Sequence, residues 1–258
     1  MKKINTTTVL CALALSAVVA PSVSSAANQS VNGDAKVEFK AGVNTPVNPV
    51  DPEDKEPKPV DPTEPDTEKP VVYPGGALRI NHIPTISFGV NEISAKQADY
   101  FAQFEKVKDL ESGTVKEKAS YVEVADESGE FKGWAVKVSS DGVFRSAKGN
   151  IDGTITLSSA ALRGLNGMDG QVDKAPVANG TVIVGKDAPT AEVLKAEAGK
   201  GYNTWQVVYG NSVTGNTVKG SDDTIRNAAV KLTVPEGQAV YAGEEYTASL
   251  VWTLEQGL

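Results

Sequence analysis

Residues Tyr246-Thr247-Ala248-Ser249-Leu250-Val251-Trp252-Thr253-Leu254 set Tyr246, Ala248, Leu250, Trp252 and Leu254 on one side of an extended chain. Thr247, Ser249, Val251 and Thr253 fall on the other. That period of two is the signature of a half-buried strand. The same pattern recurs upstream. Trp134, Val136 and Val138 alternate with Ala135, Lys137 and Ser139, and Ile155 and Leu157 alternate with Thr154, Thr156 and Ser158. Trp205, Val207 and Tyr209 alternate with Thr204, Gln206 and Val208, and Val230, Leu232 and Val234 with Lys231 and Thr233. Turn chemistry separates these runs at Asp141-Gly142, Asp152-Gly153, Asn166-Gly167, Asp169-Gly170 and Asn179-Gly180, where side chains that tolerate positive φ are needed. The expectation is an all-β chain, an antiparallel β-sandwich or a partly open barrel. One stretch departs from it: Ala98, Phe101, Phe104, Val107 and Leu110 recur every three residues within Ser94–Leu110, which leaves room for one short helix.

Composition narrows the chemistry. The 258 residues carry 25 Lys+Arg against 33 Asp+Glu, a formal charge of -8, with one Cys and one His. A single Cys excludes a disulfide scaffold, and one Cys with one His excludes a Cys/His zinc site. The acidic balance argues against duplex nucleic acid, which is gripped through clustered Lys and Arg. No Gly-x-Ser-x-Gly, His-Glu-x-x-His or Cys nucleophile is present, and His82 beside Ile83-Pro84 reads as a surface or packing residue. Asp222-Asp223 and Glu244-Glu245 are adjacent pairs; neighbours on a strand face opposite ways, so neither pair suits acid–base hydrolysis. The chain reads as non-enzymatic, with no cofactor.

Residues 1–26 read as a signal peptide. Lys2 and Lys3 precede the apolar run Val9–Ala20, and small residues lead to Ala26. Twelve residues fall short of the roughly 20 needed to span a bilayer, and no other membrane candidate is evident. Cleavage there removes Cys11, Lys2 and Lys3 and takes the charge from -8 to -10. The rest, 27–258, reads as one β domain interrupted by a Pro-rich acidic spacer over 46–70. That spacer holds eight Pro, eight acidic residues and three Lys, with Val47, Val50 and Val60 its few apolar residues. Such composition favours extended, solvated backbone. A small strand at Lys36–Lys40, with Val37 and Phe39 on one side, would make the spacer an excursion within one domain rather than a boundary between two.

The distal Trp252-Thr-Leu254 and the earlier Gly133-Trp134-Ala135-Val136 together resemble the paired Trp-x-Leu motifs of the WxL-domain cell-surface proteins of low-GC Gram-positive bacteria. Leu78-Arg-Ile80, Ile83-Pro84, Phe88-Gly89, Tyr121–Asp126, Gly153–Leu157 and Val230–Pro235 fit the same family, so the resemblance covers nearly all of 27–258. Val136 stands where the family carries Leu, and the ending Glu255-Gln-Gly-Leu258 lacks an acidic-Ala-Pro sequence. The resemblance implies a secreted protein of the cell wall that binds peptidoglycan non-covalently. No Leu-Pro-x-Thr-Gly sorting signal is present, which agrees with that. An alternative is an interaction or adhesion subunit held at the wall by a partner surface protein.

The motif residues Trp134, Val136, Trp252 and Leu254 are the wall-binding candidates, with Trp205, Phe88 and Gly89 as secondary positions. Indole rings stack on sugar rings, so ligand contact is one reading. Their shared strand face is usually the core face, and on that reading their role is structural.

Overall fold

The computed structural model describes residues 36–42, 48–54, 56, 58–62, 75–212, 215 and 217–257. The expected signal peptide lies outside these residues, as does the spacer over 63–70. The chain divides into two units, 1–39 and 40–258. In the first, the described residues 36–39 belong to no strand, and Val37 and Phe39 are exposed. The expected strand over Lys36–Lys40 is therefore not formed.

The described residues of 40–258 are all-β, and every strand pairing among them is antiparallel. One four-stranded sheet runs Ala160–Gly164, Asn203–Tyr209, Ser120–Asp126, Leu78–His82. A second runs Val177–Ala178, Thr190–Ala196, Trp134–Ser139, Val251–Gln256. In a third, the ten-residue strand Ile225–Val234 pairs with Thr154–Leu157, Thr217–Lys219 and Ala98–Ala102, and Val182–Gly185 extends it beyond Thr154–Leu157. The helical element among the described residues is a single 3-10 turn at Val172–Lys174.

Ser94–Leu110 thus corrects the expectation of a helix. It forms the strands Ala98–Ala102 and Glu105–Asp109. The second alternates buried and exposed residues, but two of its three inward positions are the carboxylates Glu105 and Asp109. Polar residues facing inward conceal the period of two, and the apolar residues left over mimic helical spacing.

The main core collects Val122 and Val124 from the first sheet, Trp134, Val136 and Leu194 from the second, and Ile155, Leu157 and Val230 from the third. Where one face meets that core and the other meets water, the alternation holds: Thr154–Leu157 reads half-buried, buried, half-buried, buried. The strands Ser120–Asp126 and Asn203–Tyr209 are different. All seven residues of the first are buried, and six of seven in the second. Their second face is covered by a small sheet of Val60–Asp61, Glu105–Asp109 and Val115–Lys118, with a minor core of Phe104, Ala119, Tyr121 and Val208.

At the C-terminal end, Tyr246, Ala248 and Leu250 all pack partly against the main core, as the alternation requires. The regular ladder begins only at Val251, preceded by an isolated bridge between Arg145 and Thr247.

Candidate functional site

The two Trp motifs are 118 residues apart in sequence and adjacent in space. Trp134–Ser139 pairs antiparallel with Val251–Gln256, setting Leu254 opposite Val136 and Trp252 opposite Val138. On its other side the same strand pairs with Thr190–Ala196, which sets Leu194 against Val136 and Ala196 against Trp134. Directly opposed residues share a face of a sheet, so Trp134, Val136, Val138, Trp252 and Leu254 form one apolar surface turned toward the core.

The two indoles are unequal. Trp134 is wholly buried, and its Nε1–H donates to the Gly201 carbonyl at 3.2 Å. Trp252 and Leu254 are half-buried at the edge of the core. Val136 is wholly buried between two leucines, which accounts for the smaller side chain there: an added methylene would crowd Leu194 and Leu254. Gly133 opens the strand at φ +78°, and a Cβ there would lie 2.6 Å from the Ala196 carbonyl oxygen. Its own carbonyl accepts from the Gly257 N–H at 3.0 Å.

Trp205 is likewise buried, and its Nε1–H donates to the Tyr202 carbonyl at 2.9 Å. Phe88 packs on the main core, and its carbonyl accepts from Arg226 Nη1 at 3.0 Å. Gly89, at φ +63°, gives that buried guanidinium room, since a Cβ would meet it. Phe88 and Gly89 are thus brought together at Arg226, whereas Trp205 sits under the Gly201–Tyr202 turn that Trp134 also contacts.

Sequence reasoning missed a second feature, a buried polar cluster beneath residues 48–62. Glu123 Oε2 accepts from the Val50 N–H at 2.9 Å and from Gln206 Nε2 at 2.7 Å, and its Oε1 accepts from Asn81 Nδ2 at 2.9 Å. Gln206 Nε2 also donates to the Val50 carbonyl at 2.8 Å. Lys118 reaches Asp51 at 2.9 Å, and Arg163 donates to the carbonyls of Asp51 and Asp54. The Glu53 carboxylate accepts from Ser212. Asp51, Val60 and Pro52 are buried. This near end of the Pro-rich stretch therefore packs, against the expectation for its composition, because its carbonyls and carboxylates find buried donors.

Beside the cluster, His82 Nε2 lies 2.9 Å from Glu105 Oε2, and the imidazole stacks on Tyr121 with centroids 3.9 Å apart. Both partners are buried, so His82 is a packing residue. Burial pushes the Glu105 and Glu123 carboxyls above their ordinary value, since removal from water penalises the charged form more than the surrounding donors favour it. The paired carboxylates of the sequence are accounted for separately: Asp222 pairs with Arg226 at 2.5 Å, Asp223 with Lys219 at 2.7 Å and Glu244 with Lys148 at 2.8 Å.

An antiparallel β domain built on two Trp motifs in register is the class these features define. The chain belongs to the WxL family, described as a WxL domain surface cell wall-binding family, whose profile matches residues 26–257. No curated protein and no solved structure matches it.

Two outcomes follow from this geometry. Trp134→Ala empties a closed site and removes a satisfied N–H, for an expected loss of about 3–5 kcal/mol. Trp252→Ala uncovers a half-exposed edge and costs on the order of 1–2 kcal/mol. Urea unfolding of the two variants, compared by midpoint and slope, checks the ranking.

The second outcome concerns pH. Because Glu105 and Glu123 have folded-state values above the ordinary 4.5, the folded chain holds more protons than the unfolded one just above that pH. Their effect strengthens the fold as pH falls from 7 toward about 4.5. Asp99, held down by Lys231, Asp109 by the Ser112 N–H and Lys116, Asp141 by Arg145, and Asp222 by Arg226 act oppositely. Their contribution is present above 3.8 and is lost as pH falls through their lower folded values. Melting temperature at about 0.5 M salt, where the Debye length is below about 5 Å and general repulsion is screened, should therefore peak in mild acid. A steady rise from pH 5 to 8 would contradict this.

Proposed function

We propose that this protein is a secreted, non-enzymatic cell-surface protein whose WxL domain binds peptidoglycan non-covalently. The observation that carries the reading is the family match across 26–257, which makes nearly the whole chain a wall-binding surface domain. The domain plan is a signal peptide over 1–26 and a WxL-type β domain over 27–258, with the Pro-rich excursion at 46–70. The sheets stack as a sandwich, a reading supported by one core drawing side chains from three sheets.

The motif residues Trp134, Val136, Trp252 and Leu254 serve the wall-binding function by holding the fold. Trp134 and Val136 have no surface left to offer a ligand. Losing the proximal Trp would abolish retention through unfolding rather than through a lost contact. The alternative reading is an interaction or adhesion subunit held at the wall by a partner surface protein.

Electrostatics constrains the mode of binding. With signal cleavage the chain carries -10, and a wall rich in teichoic acid is also anionic, so long-range attraction is absent. Retention then rests on short-range contacts with glycan or peptide stems. Adsorption is expected to strengthen as pH falls toward about 4–5, where ordinary carboxylates begin to neutralise.

Co-sedimentation of the purified protein with protein-free, teichoic-acid-stripped sacculi, measured from pH 4 to 8, tests both statements. Retention that increases in acid is the expected result. Binding only when other surface proteins are added would instead favour a partner-held subunit.

A further inference from the structure

The loop before the proximal motif contains an unusual backbone. Phe131 has φ +51° and is 46% exposed. Among the described residues, the other non-glycine positions in this region are Ser159, Asn166, Asn203 and Asp223, small or amide- and carboxylate-bearing side chains that tolerate it. A bulky aromatic there is a genuine outlier. Strain of this kind persists where the surrounding structure enforces it, and it marks places where a side chain is held for a purpose.

The surroundings do enforce it. The Phe131 carbonyl accepts from the Gly199 N–H at 2.9 Å, tying this loop to the turn that leads into Asn203–Tyr209. The Phe131 ring meets Tyr202 edge-on, at 5.5 Å between centroids and 78° between planes. The two buried tryptophans brace that same turn from beneath: Trp134 donates to the Gly201 carbonyl and Trp205 to the Tyr202 carbonyl. Gly201, at φ +74°, fits only because it lacks a Cβ, which would lie 2.9 Å from the Trp134 ring. Around Phe131 stand exposed hydrogen-bonding groups, the Lys132–Glu130 pair at 2.9 Å and Gln256 Nε2 at 3.3 Å from Glu130.

We infer that Phe131 and Tyr202 form a sugar-stacking subsite for a pyranose ring of the peptidoglycan glycan strand, fixed in place by the indoles of Trp134 and Trp205. This rests on the wall-binding reading above. An exposed Phe131 ring beside a half-buried Tyr202, with a polar rim, suits the apolar C–H face and equatorial hydroxyl or N-acetyl groups of an amino sugar. Two rings are too small a patch for a stable protein partner, which needs about 800 Å² per side. The chain's charge disfavours an anionic polymer. Trp134 and Trp205 then act as positioning residues: they touch no ligand and hold the peptide that presents Tyr202.

The test uses Phe131→Gly, which removes the ring and relieves the backbone, with Phe131→Tyr as the conservative variant. The probes are stripped sacculi and a soluble β-1,4-linked N-acetylglucosamine tetramer. The expected result is that Phe131→Gly melts at or above the wild-type temperature yet loses at least fivefold in retention and in tetramer affinity, while Phe131→Tyr keeps both. Should Phe131→Gly misfold, Tyr202→Leu carries the same expectation for binding.

Wild-type retention shared equally by the folded Phe131→Gly and Tyr202→Leu variants would overturn the subsite and leave wall binding standing. Failure of the wild type itself to bind sacculi would overturn both. A loss seen only when partner surface proteins are present would assign the rings to a protein contact and overturn the glycan assignment.

Discussion

The interaction on which the rest depends is the burial of the Trp134 indole with its N–H satisfied. The ring fills a site where two strands of the motif sheet and the Gly201 turn converge, and its nitrogen is closed off from the surface. A buried indole N–H without an acceptor would carry the desolvation penalty of an unmade hydrogen bond. The Gly201 carbonyl removes that penalty, and in doing so fixes the loop that leads into the central strand of another sheet. One side chain thereby ties the motif strand to the Asn203–Tyr209 strand. The distal motif closes the arrangement from the other edge, where Leu254 and Trp252 lie in register with Val136 and Val138. Two short motifs far apart in sequence thus define a single piece of core.

The second constraint is polar. The described residues of 48–62 cover Gln206 and Glu123, adding hydrogen bonds at Val50 to the burial of Pro52 and Val60. Such a clamp is directional. It fixes the position of Val50 and Asp51 on the sheet, and the buried carboxyl of Glu123 beneath it makes the fold sensitive to pH. The start of the Pro-rich stretch is therefore part of the folded domain, with Val60–Asp61 adding an edge to the small sheet.

What the sequence revealed follows from where water lies. Strands with one wet face, such as Trp134–Ser139 and Thr154–Leu157, displayed their alternation openly, and the family resemblance added the pairing of motifs as a concept. The resemblance could not place those motifs side by side, because register across 118 residues is a tertiary fact. Asn203–Tyr209 read as half-exposed because Gln206 and Thr204 are polar, yet both are buried, Gln206 against Val50 and Thr204 beside Asn166. That cover was illegible for a physical reason: acidic, Pro-rich sequence has no apolar signal, and its packing relies on Lys118, Gln206 and Arg163 far along the chain. Glu105 and Asp109 hid a strand in the same way, by placing charge at inward positions. The aromatic pair Phe131–Tyr202 left no trace, since a positive φ at Phe cannot be read from residue type.

Hydrogen exchange at the Trp134 indole nitrogen tests the central claim most directly. If that N–H is the buried tie between two sheets, it exchanges only on global unfolding, at the rate of the slowest backbone amides in Trp134–Ser139 and well behind the indole of half-exposed Trp252. Exchange of the Trp134 indole as fast as that of Trp252, in a folded protein, would contradict the account.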